Sequence, residues 1–255
     1  MRVATYNIRN MVALDWKSCW CRRRSSLAAV IRDVDVDVWA MQEAYKPQVR
    51  YLERHALPGW TVIGKGRNLG GGGEACPIWI RPEWTLVESV TRWFGERPQT
   101  PGSKLAGAFY PRMVTIAVVD GPDGRVILAN THLDEKSAER RRASLAQLLG
   151  WLADHAPDMP AVILGDLNAT IGSPPVQALL DAGFESALAP EDGPTSNGFG
   201  DSAHAKQIDH IFVSDDLRFG EVAVHRDAGL VSDHWPVLAA VQPGGPGDAE
   251  ATDAC

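Results

Sequence analysis

The chain has 255 residues, of which 45% are hydrophobic and 22% are charged, proportions typical of a folded globular protein rather than a largely disordered one. Its formal net charge of −7 argues against stable binding to duplex nucleic acid, because such binding depends on a surface rich in lysine and arginine. No apolar run approaches the roughly 20 residues of a membrane-spanning helix, and no signal-peptide pattern is present, so we expect a cytoplasmic, monomeric protein.

The first part of the chain alternates predicted strands and helices. Strands are predicted over 3–8, 35–41 and 60–63, helices over 22–32 and 47–56, and a pair of adjacent strands over 77–80 and 85–90. Four consecutive glycines make 69–74 a loop. This loop lacks the lysine and hydroxyl residue of a phosphate-binding Walker motif, so we interpret it as a flexible connection.

The second part continues with a hairpin and further alternation. Strands are predicted over 113–119, 125–129, 161–164, 208–213, 221–226 and 235–241, and helices over 138–152 and 176–182. The segment 193–207 is an irregular polar loop, and residues 243–255, rich in glycine, proline and alanine, indicate a disordered tail. We therefore expect one catalytic domain over 1–242.

The four cysteines do not form the paired spacing of a zinc site or of a disulfide scaffold. They are Cys19, Cys21, Cys76 and Cys255. We predict free thiols, and a redox role for the closely spaced Cys19 and Cys21 remains the alternative.

The run Ala161–Leu164 predicts a strand buried on both faces, and it ends in Gly165, Asp166, Leu167 and Asn168. If the extended geometry persists, Asp166 and Asn168 point to the same side and can hold one phosphate, water or hard cation between them. The alternative is an ordinary turn, since glycine, aspartate and asparagine all favour turns.

Polar side chains recur at the ends of predicted strands throughout the chain. They are Asn7, Glu43, His132, Asp166, Asn168, Asp209, Asp233 and His234. Because strand ends from distant sequence positions meet at one edge of a layered α/β domain, and ligands bind there, we expect these residues to form one site.

The residue types at these positions suit the hydrolysis of a phosphoester. Three carboxylates, Glu43, Asp166 and Asp233, offer the hard oxygen ligands that Mg²⁺ or Mn²⁺ prefers. A divalent cation can neutralise phosphate charge and support a leaving oxygen. The sequence therefore favours Mg²⁺ as cofactor, with Mn²⁺ as the alternative.

Two histidines add acid-base and hydrogen-bonding groups. If Asp209 orients His234 through one ring nitrogen, the other nitrogen can activate water. His132 and Asn168 can donate hydrogen bonds to phosphoryl oxygens as charge accumulates there. Three arginines, at 140 to 142, most simply form a solvated helix face, and the alternative is that Arg141 points towards the site.

Six short motifs, taken in order, resemble those of the DNase-I-like endonuclease/exonuclease/phosphatase superfamily, and in particular its compact bacterial phosphodiesterase-like branch. They are Thr5-Tyr6-Asn7-Ile8-Arg9, Gln42-Glu43, Asn130-Thr131-His132-Leu133-Asp134, Gly165-Asp166-Leu167-Asn168, Ile208-Asp209-His210-Ile211-Phe212 and Ser232-Asp233-His234-Trp235-Pro236-Val237. The series extends from residue 3 to about residue 241.

The resemblance implies a four-layer α/β sandwich, with two central mixed β-sheets flanked by helices, and divalent-metal-dependent hydrolysis of phosphoesters. It assigns Asn7, Glu43 and Asp233 to the metal, Asp166 and Asn168 to the nucleophile and phosphate, Asp209 and His234 to an acid-base dyad, and His132 to the phosphate, with Glu74 as a support for His132. Leu167 stands where the family often has phenylalanine, and Lys206-Gln207 where an arginine is common, which leaves the role of that arginine without a counterpart.

The superfamily includes several substrate classes, so the motifs do not choose among them. The acidic charge and the lack of an extended basic insertion favour a small-molecule or nucleotide phosphodiester or phosphomonoester. The alternatives are a metal-dependent nuclease and a biosynthetic enzyme or binding protein that reuses the fold. A group of aromatic residues is expected mainly in the core, with a substrate pocket as the alternative: Trp79, Trp84, Trp93, Phe94, Phe109 and Tyr110.

Overall fold

The structure, a computed structural model, describes residues 1–155 and 158–244. Its helices are α1 (Trp20–Asp33), α2 (Lys46–His55), α3 (Ala138–His155) and α4 (Pro174–Leu180). Its strands are β1 (Arg2–Asn7), β2 (Val38–Gln42), β3 (Thr61–Ile63), β4 (Ile78–Ile80), β5 (Thr85–Trp93), β6 (Met113–Gly121), β7 (Gly124–His132), β8 (Ala161–Asp166), β9 (Glu185–Ser186), β10 (Asp209–Val213), β11 (Leu217–Val224) and β12 (Val237–Pro243).

The strands form two six-stranded mixed sheets. The first has the order β11-β12-β1-β2-β4-β3 and the second the order β5-β6-β7-β8-β10-β9. In each sheet one central pair is parallel, β1 with β2 and β7 with β8, and the other pairs are antiparallel. The carboxyl ends of these parallel strands carry Asn7, Gln42, His132 and Asp166.

The sheets pack face to face, and each is covered on its outer face by helices. Alternate residues of the strands fill the space between the sheets, among them Val38 and Ile78 from the first sheet and Leu128 and Leu164 from the second. The intervening residues of the second sheet pack on α3 and α4, and those of the first sheet pack on α1 and α2. The predicted four-layer α/β sandwich is therefore confirmed.

A polar contact lies within the otherwise apolar interface between the sheets. Asn130 of β7 donates through Nδ2 to the main-chain oxygens of Met41 and Pro77, both at 2.8 Å, and its Oδ1 accepts from Gln42 Nε2 at 2.7 Å. Gln42 also donates to Thr5 Oγ1 at 3.0 Å. These bonds join the two sheets one or two residues from Glu43 and His132.

Most predicted elements are present, and one predicted pairing is wrong. The strands at 77–80 and 85–90 do not pair, because β4 belongs to the first sheet and β5 to the second. The turn at 81–84 carries the chain from one sheet to the other, and Trp84 is buried in the core between them. The short strand β9 was not predicted. No helix among the described residues is long and apolar enough to cross a membrane.

The predicted disordered tail, residues 243–255, lies mainly outside the described residues. Its first residue, Pro243, is the last residue of β12, and the main-chain N–H of Gly244 donates to the oxygen of Asp216 at 2.7 Å.

Candidate active site

Asn7 links the two sheets at the floor of the candidate site. It is the last residue of β1, and its Nδ2 donates to Glu43 Oε1 at 3.2 Å and to Asp166 Oδ2 at 3.1 Å. Its Oδ1 accepts the main-chain N–H of Arg9 at 3.0 Å. One amide therefore sets the spacing between a carboxylate of the first sheet and a carboxylate of the second.

Glu43 follows β2 with a positive φ of 61°, a conformation that is unfavourable for a residue with a long side chain. Its carboxylate explains why the conformation persists. Asn10 donates to Oε2 from its main-chain N at 3.0 Å and from Nδ2 at 2.7 Å. Although burial opposes ionisation, these donors and the nearby Arg9 guanidinium hold the pKa of Glu43 below its usual value.

Asp166 is the last residue of β8 and is only 2% exposed. Gly165 before it has φ 147° and lies against β7 so closely that a Cβ would stand 2.0 Å from the oxygen of Thr131, so only glycine fits. Burial, with the neighbouring Asp209 carboxylate, raises the pKa of Asp166 to about 7.

Asn168 does not continue the strand geometry. Its φ is 50°, and its main-chain N–H donates to Asp166 Oδ1 at 2.9 Å, so the chain turns immediately after Asp166. The side chain donates to the oxygen of Leu133 at 3.1 Å and still lines the same cavity as Asp166. The turn interpretation and the shared-site interpretation both hold.

Asp209 and His234 form a buried dyad. His234 Nδ1 lies 2.8 Å from Asp209 Oδ2, and Thr195 donates to the same oxygen at 2.6 Å. Asp209 opens β10 directly opposite Asp166 of β8. Although burial opposes a charged imidazole, the Asp209 carboxylate raises the pKa of His234 to about 10.

Both histidines point a ring nitrogen at Asp166. His132, the last residue of β7, places Nε2 at 3.5 Å from Asp166 Oδ2, and His234 Nε2 lies 4.0 Å from the same oxygen. Burial, with the positive charge of Arg112 and Arg67, holds the pKa of His132 well below its usual value. The site therefore contains one charged and one neutral imidazole at neutral pH.

Asp233 comes from the loop before β12. Its Oδ2 lies 3.3 Å from Arg9 Nη1, and Arg9 also contacts both carboxylate oxygens of Asp15, at 2.9 and 3.0 Å. Burial raises the pKa of Asp233, and the adjacent His234 and Arg9 oppose that shift.

These residues meet at a cavity of about 720 Å³. The predicted residues that line it are Glu43, Glu74, His132, Asp166, Asn168, Asp233 and His234. Asn7 and Asp209 lie behind it, bonded to Asp166 and His234. Glu74 pairs with Arg67 at 2.6 Å. Arg141 does not line the cavity, and its Nη1 donates to the oxygen of Asp134 at 2.8 Å.

Several cavity residues were not predicted from the sequence. Arg112 precedes β6, is 7% exposed and lines the cavity, and its guanidinium has no hydrogen bond or ion pair with any of residues 1–155 or 158–244. Arg67 lies under the ring of Tyr110, 4.2 Å from its centroid. Thr195 and Asn10 orient acidic residues. None of these belongs to a recognisable motif, although the strand-start position of Arg112 was a usable signal.

The aromatic residues divide between core and cavity. Trp79, Trp84, Trp93 and Phe94 are buried, as expected. Phe109 is 71% exposed and Tyr110 40% exposed, and Tyr110 lines the cavity. The pocket interpretation therefore applies to Tyr110.

Two sets of residues are arranged so that they could hold a cation. Asp166, Asp209 and His234 place one ligand atom each within 4.8 Å of one another, but Asp209 Oδ2 is already engaged by His234 and Thr195. Glu43 and Asp166, with Asn7 between them, supply the oxygen-rich donors that Mg²⁺ prefers. The second set is the better match because its carboxylates are not committed to a charged partner.

Comparison with known proteins followed from this geometry. The family model described as the endonuclease/exonuclease/phosphatase family matches residues 4–234. The chain belongs to this family. No curated protein sequence matches the chain.

Solved structures of other members of the endonuclease/exonuclease/phosphatase family share the fold. One from Bacteroides vulgatus has a TM-score of 0.87 and 27% identity, covering 95% of this chain and 98% of that one. A mannosyl-6-phosphatase from Bacteroides thetaiotaomicron has a TM-score of 0.83 and 26% identity, covering 94% and 99%. ANGEL2, a 2′,3′-cyclic phosphatase solved with adenosine-2′,3′-vanadate, has a TM-score of 0.73 and 18% identity, covering 94% of each chain, and is similar in fold alone.

Proposed function

We propose that the chain is a divalent-metal-dependent hydrolase of small phosphoesters. The observation that carries this proposal is the surroundings of Asp166. A buried carboxylate receives hydrogen bonds from Asn7 and Asn168, faces two imidazoles, and opens into a cavity. A carboxylate whose pKa is raised to about 7 is suited to accept a proton from water near neutral pH.

The charges of the cavity support a requirement for a cation. Seven carboxylates line it, against four arginine or lysine side chains. A phosphate group would be repelled by this excess of negative charge unless a cation is bound as well. Glu43 and Asp166, with Asn7 and Asp233 beside them, would hold that cation. When bound, it would supply charge neutralisation for the phosphate and for the departing oxygen.

Asp166 and His234 have different parts in this proposal. The hydrogen bonds from Asn7 and Asn168 aim Asp166 at the cavity, where it takes a proton from the attacking water. Because Asp209 keeps His234 protonated, its Nε2 donates to the phosphoryl group as an imidazolium instead of acting as the base.

Three further donors stabilise the phosphoryl oxygens as their charge grows. His132 is neutral and donates through a ring N–H, Asn168 donates from its amide, and Arg112 supplies a positive charge that no carboxylate neutralises. These donors are buried and fixed before the substrate arrives, which is the condition for effective transition-state stabilisation.

The cavity fits a small substrate. Its volume of about 720 Å³ lies in the range of small-molecule sites, and acidic residues at its edge, Asp15, Glu135 and Asp201, disfavour the repeated phosphates of duplex DNA. The similarity to the mannosyl-6-phosphatase supports sugar phosphates as the first compounds to assay.

The test is a panel of sugar, nucleotide and lipid phosphoesters assayed with Mg²⁺ and with Mn²⁺. We expect turnover of at least one small phosphoester, loss of that turnover with a chelator, recovery on adding the ion back, and loss in Asp166→Asn. Activity that survives complete chelation would contradict the metal requirement.

The same assay distinguishes the nuclease and the binding protein. Salt-dependent cleavage of DNA at catalytic enzyme concentrations, with no turnover of small esters, would favour a nuclease. Tight phosphoester binding without turnover, unchanged in Asp209→Asn, would favour a binding protein.

A further inference from the structure

Two cysteines lie in contact at the start of α1, away from the residues of the proposed mechanism. Cys19 precedes the first residue of the helix and Cys21 lies in its first turn, and their Sγ atoms are 2.9 Å apart. Cys19 is partly exposed and Cys21 is exposed, whereas Cys76 is buried. Reagents in solution therefore reach the two neighbouring thiols but not Cys76.

The geometry is close to that of a disulfide. A disulfide bond is about 2.05 Å long, so the two sulfur atoms need to approach by roughly 0.9 Å. Cys19 has an extended backbone (φ −60°, ψ 151°) outside the helix, which leaves its side chain free to rotate without breaking a helical hydrogen bond. Only the first turn of α1 has to adjust.

The two thiols differ in reactivity. The Cys21 thiol donates a hydrogen bond to the Cys19 sulfur, and Arg22 lies nearby, so the pKa of Cys19 falls below its ordinary value while that of Cys21 rises. A thiolate at a helix start beside arginine is the usual setting of a reactive cysteine. Cys19 is thus the attacking group and Cys21 the second, resolving group.

We propose that Cys19 and Cys21 form a thiol–disulfide exchange site that reacts with low-molecular-weight disulfides. The Cys19 thiolate attacks one sulfur of the small disulfide, forming a mixed disulfide and releasing one small thiolate. Cys21, on losing its proton, attacks the Cys19 sulfur and releases the second small thiolate. The two protein thiols are oxidised to one intrachain disulfide, and one small disulfide is reduced to two thiols.

The pair is connected to the cavity through Arg23. This buried side chain donates to the main-chain oxygens of Ser18, Ile8 and Arg9, so the first turn of α1 is joined to the segment that carries Arg9. Closing the disulfide therefore changes the turn on which the position of Arg9 depends.

The test uses the full chain with Cys255→Ser, treated with glutathione disulfide and analysed by intact mass and thiol titration. We expect loss of two accessible thiols, a mass decrease of about 2 Da, a peptide linking Cys19 to Cys21, and full reversal by dithiothreitol. A stable glutathione adduct, a disulfide-linked dimer or no reaction in this protein would overturn the proposal.

Two single variants test the order of the steps. Cys21→Ser should stop at a glutathione adduct on Cys19, because the resolving thiol is missing. Cys19→Ser should react about tenfold more slowly or less, because the remaining Cys21 loses the more acidic partner. Equal rates for both variants would contradict the assignment of Cys19 as the attacking thiol.

Discussion

At the scale of single residues, the hydrogen bond between Asp209 and His234 determines the charge of the imidazole. Asp209→Asn keeps the shape of the side chain but removes the carboxylate that stabilises the imidazolium. We expect kcat/KM for the best substrate to fall by about 100- to 10,000-fold. In the metal-free protein, NMR titration should show the pKa of His234 falling from about 10 towards its ordinary value of about 6.5.

The matched control is Asp120→Asn. Asp120 pairs with Arg125 at an exposed position in the hairpin of β6 and β7, so activity should stay within about twofold of the wild type. An unchanged pKa of His234 in Asp209→Asn would show that Asp209 does not hold the imidazole in its charged form.

Asp166 sets function against stability. Its pKa in the folded protein, about 7, is above that of an unfolded aspartate, about 3.9, so the folded state binds this proton more tightly. The contribution to stability is full below pH 4 and is lost as the pH rises towards and through 7. At pH 8 without metal, ionised Asp166 is therefore a destabilising buried charge.

We accordingly expect Asp166→Asn to be inactive yet more stable. Its melting temperature at pH 8 with a chelator present should exceed that of the wild type by several degrees, on the order of 1–3 kcal/mol. At pH 4 the difference should disappear. Thermal denaturation at both pH values measures this, and a lower melting temperature at pH 8 would contradict it.

Arg112 is a buried cation that faces the cavity without an ion pair among the described residues. Arg112→Met keeps the length of the side chain and removes the charge, so kcat/KM should fall by about 10- to 150-fold, the effect of losing a charged hydrogen bond. Steady-state kinetics measures this against Arg125→Met, an exposed arginine of β7. Equal activity of the two variants would exclude a phosphate contact for Arg112.

The sequence predicted which residues form the site better than it predicted how they are held. Asn7, Glu43, Asp166 and His234 could be found because each stands at or near a strand end, and strand ends meet. Arg112 and Thr195 could not, since no periodic pattern or motif fixes the path of the loops that carry them.

At the scale of secondary structure elements, Gly165 fixes how closely β7 and β8 approach. A Cβ at this position would lie 2.0 Å from the oxygen of Thr131, which forces the two strands apart. We expect Gly165→Ala to destabilise the protein by at least about 3 kcal/mol and to lower the melting temperature by roughly 6–12 °C.

Gly150 provides the opposite case for the same substitution. It lies exposed within α3, and no atom lies within 4 Å of a Cβ built there, so Gly150→Ala should stabilise the protein by about 0.5–1 kcal/mol. Thermal denaturation of both variants tests the pair. A tolerated Gly165→Ala would show that the strands separate more easily than their packing indicates.

Strand pairing was the least predictable feature at this scale. The run 77–80 and the run 85–90 are both good strands separated by a short turn, so local pattern favours a hairpin. What decides the outcome is burial: β4 is completely buried between neighbours of the first sheet, and the chain must leave that sheet to continue. Local sequence does not contain this information.

At the scale of the whole molecule, the site depends on how the two sheets are placed. Leu128 and Ile127 are adjacent in β7 and equally buried, but Leu128 faces the other sheet and Ile127 faces the helices. Leu128→Ala and Ile127→Ala should each cost about 2–5 kcal/mol. Only Leu128→Ala loosens the interface across which Asn7 reaches Asp166, so its kcat/KM should fall further.

The comparison requires stability and activity from the same preparations. Melting temperatures establish that the two losses of stability are similar, and kinetics well below both midpoints then isolates the effect on the site. Equal kcat/KM in the two variants would mean that the site tolerates relaxation between the sheets.

The amide pair of Gln42 and Asn130 has a consequence for how this chain reaches its native state. Apolar side chains would let one sheet slide over the other at little cost, because dispersion forces have no preferred direction. An amide enclosed between the sheets finds all its partners in one placement only, and every displaced arrangement leaves a polar group stranded. A collapsed intermediate that stacks the sheets off register is therefore penalised before any ligand arrives, and a descendant sequence can alter either amide only by changing the other as well.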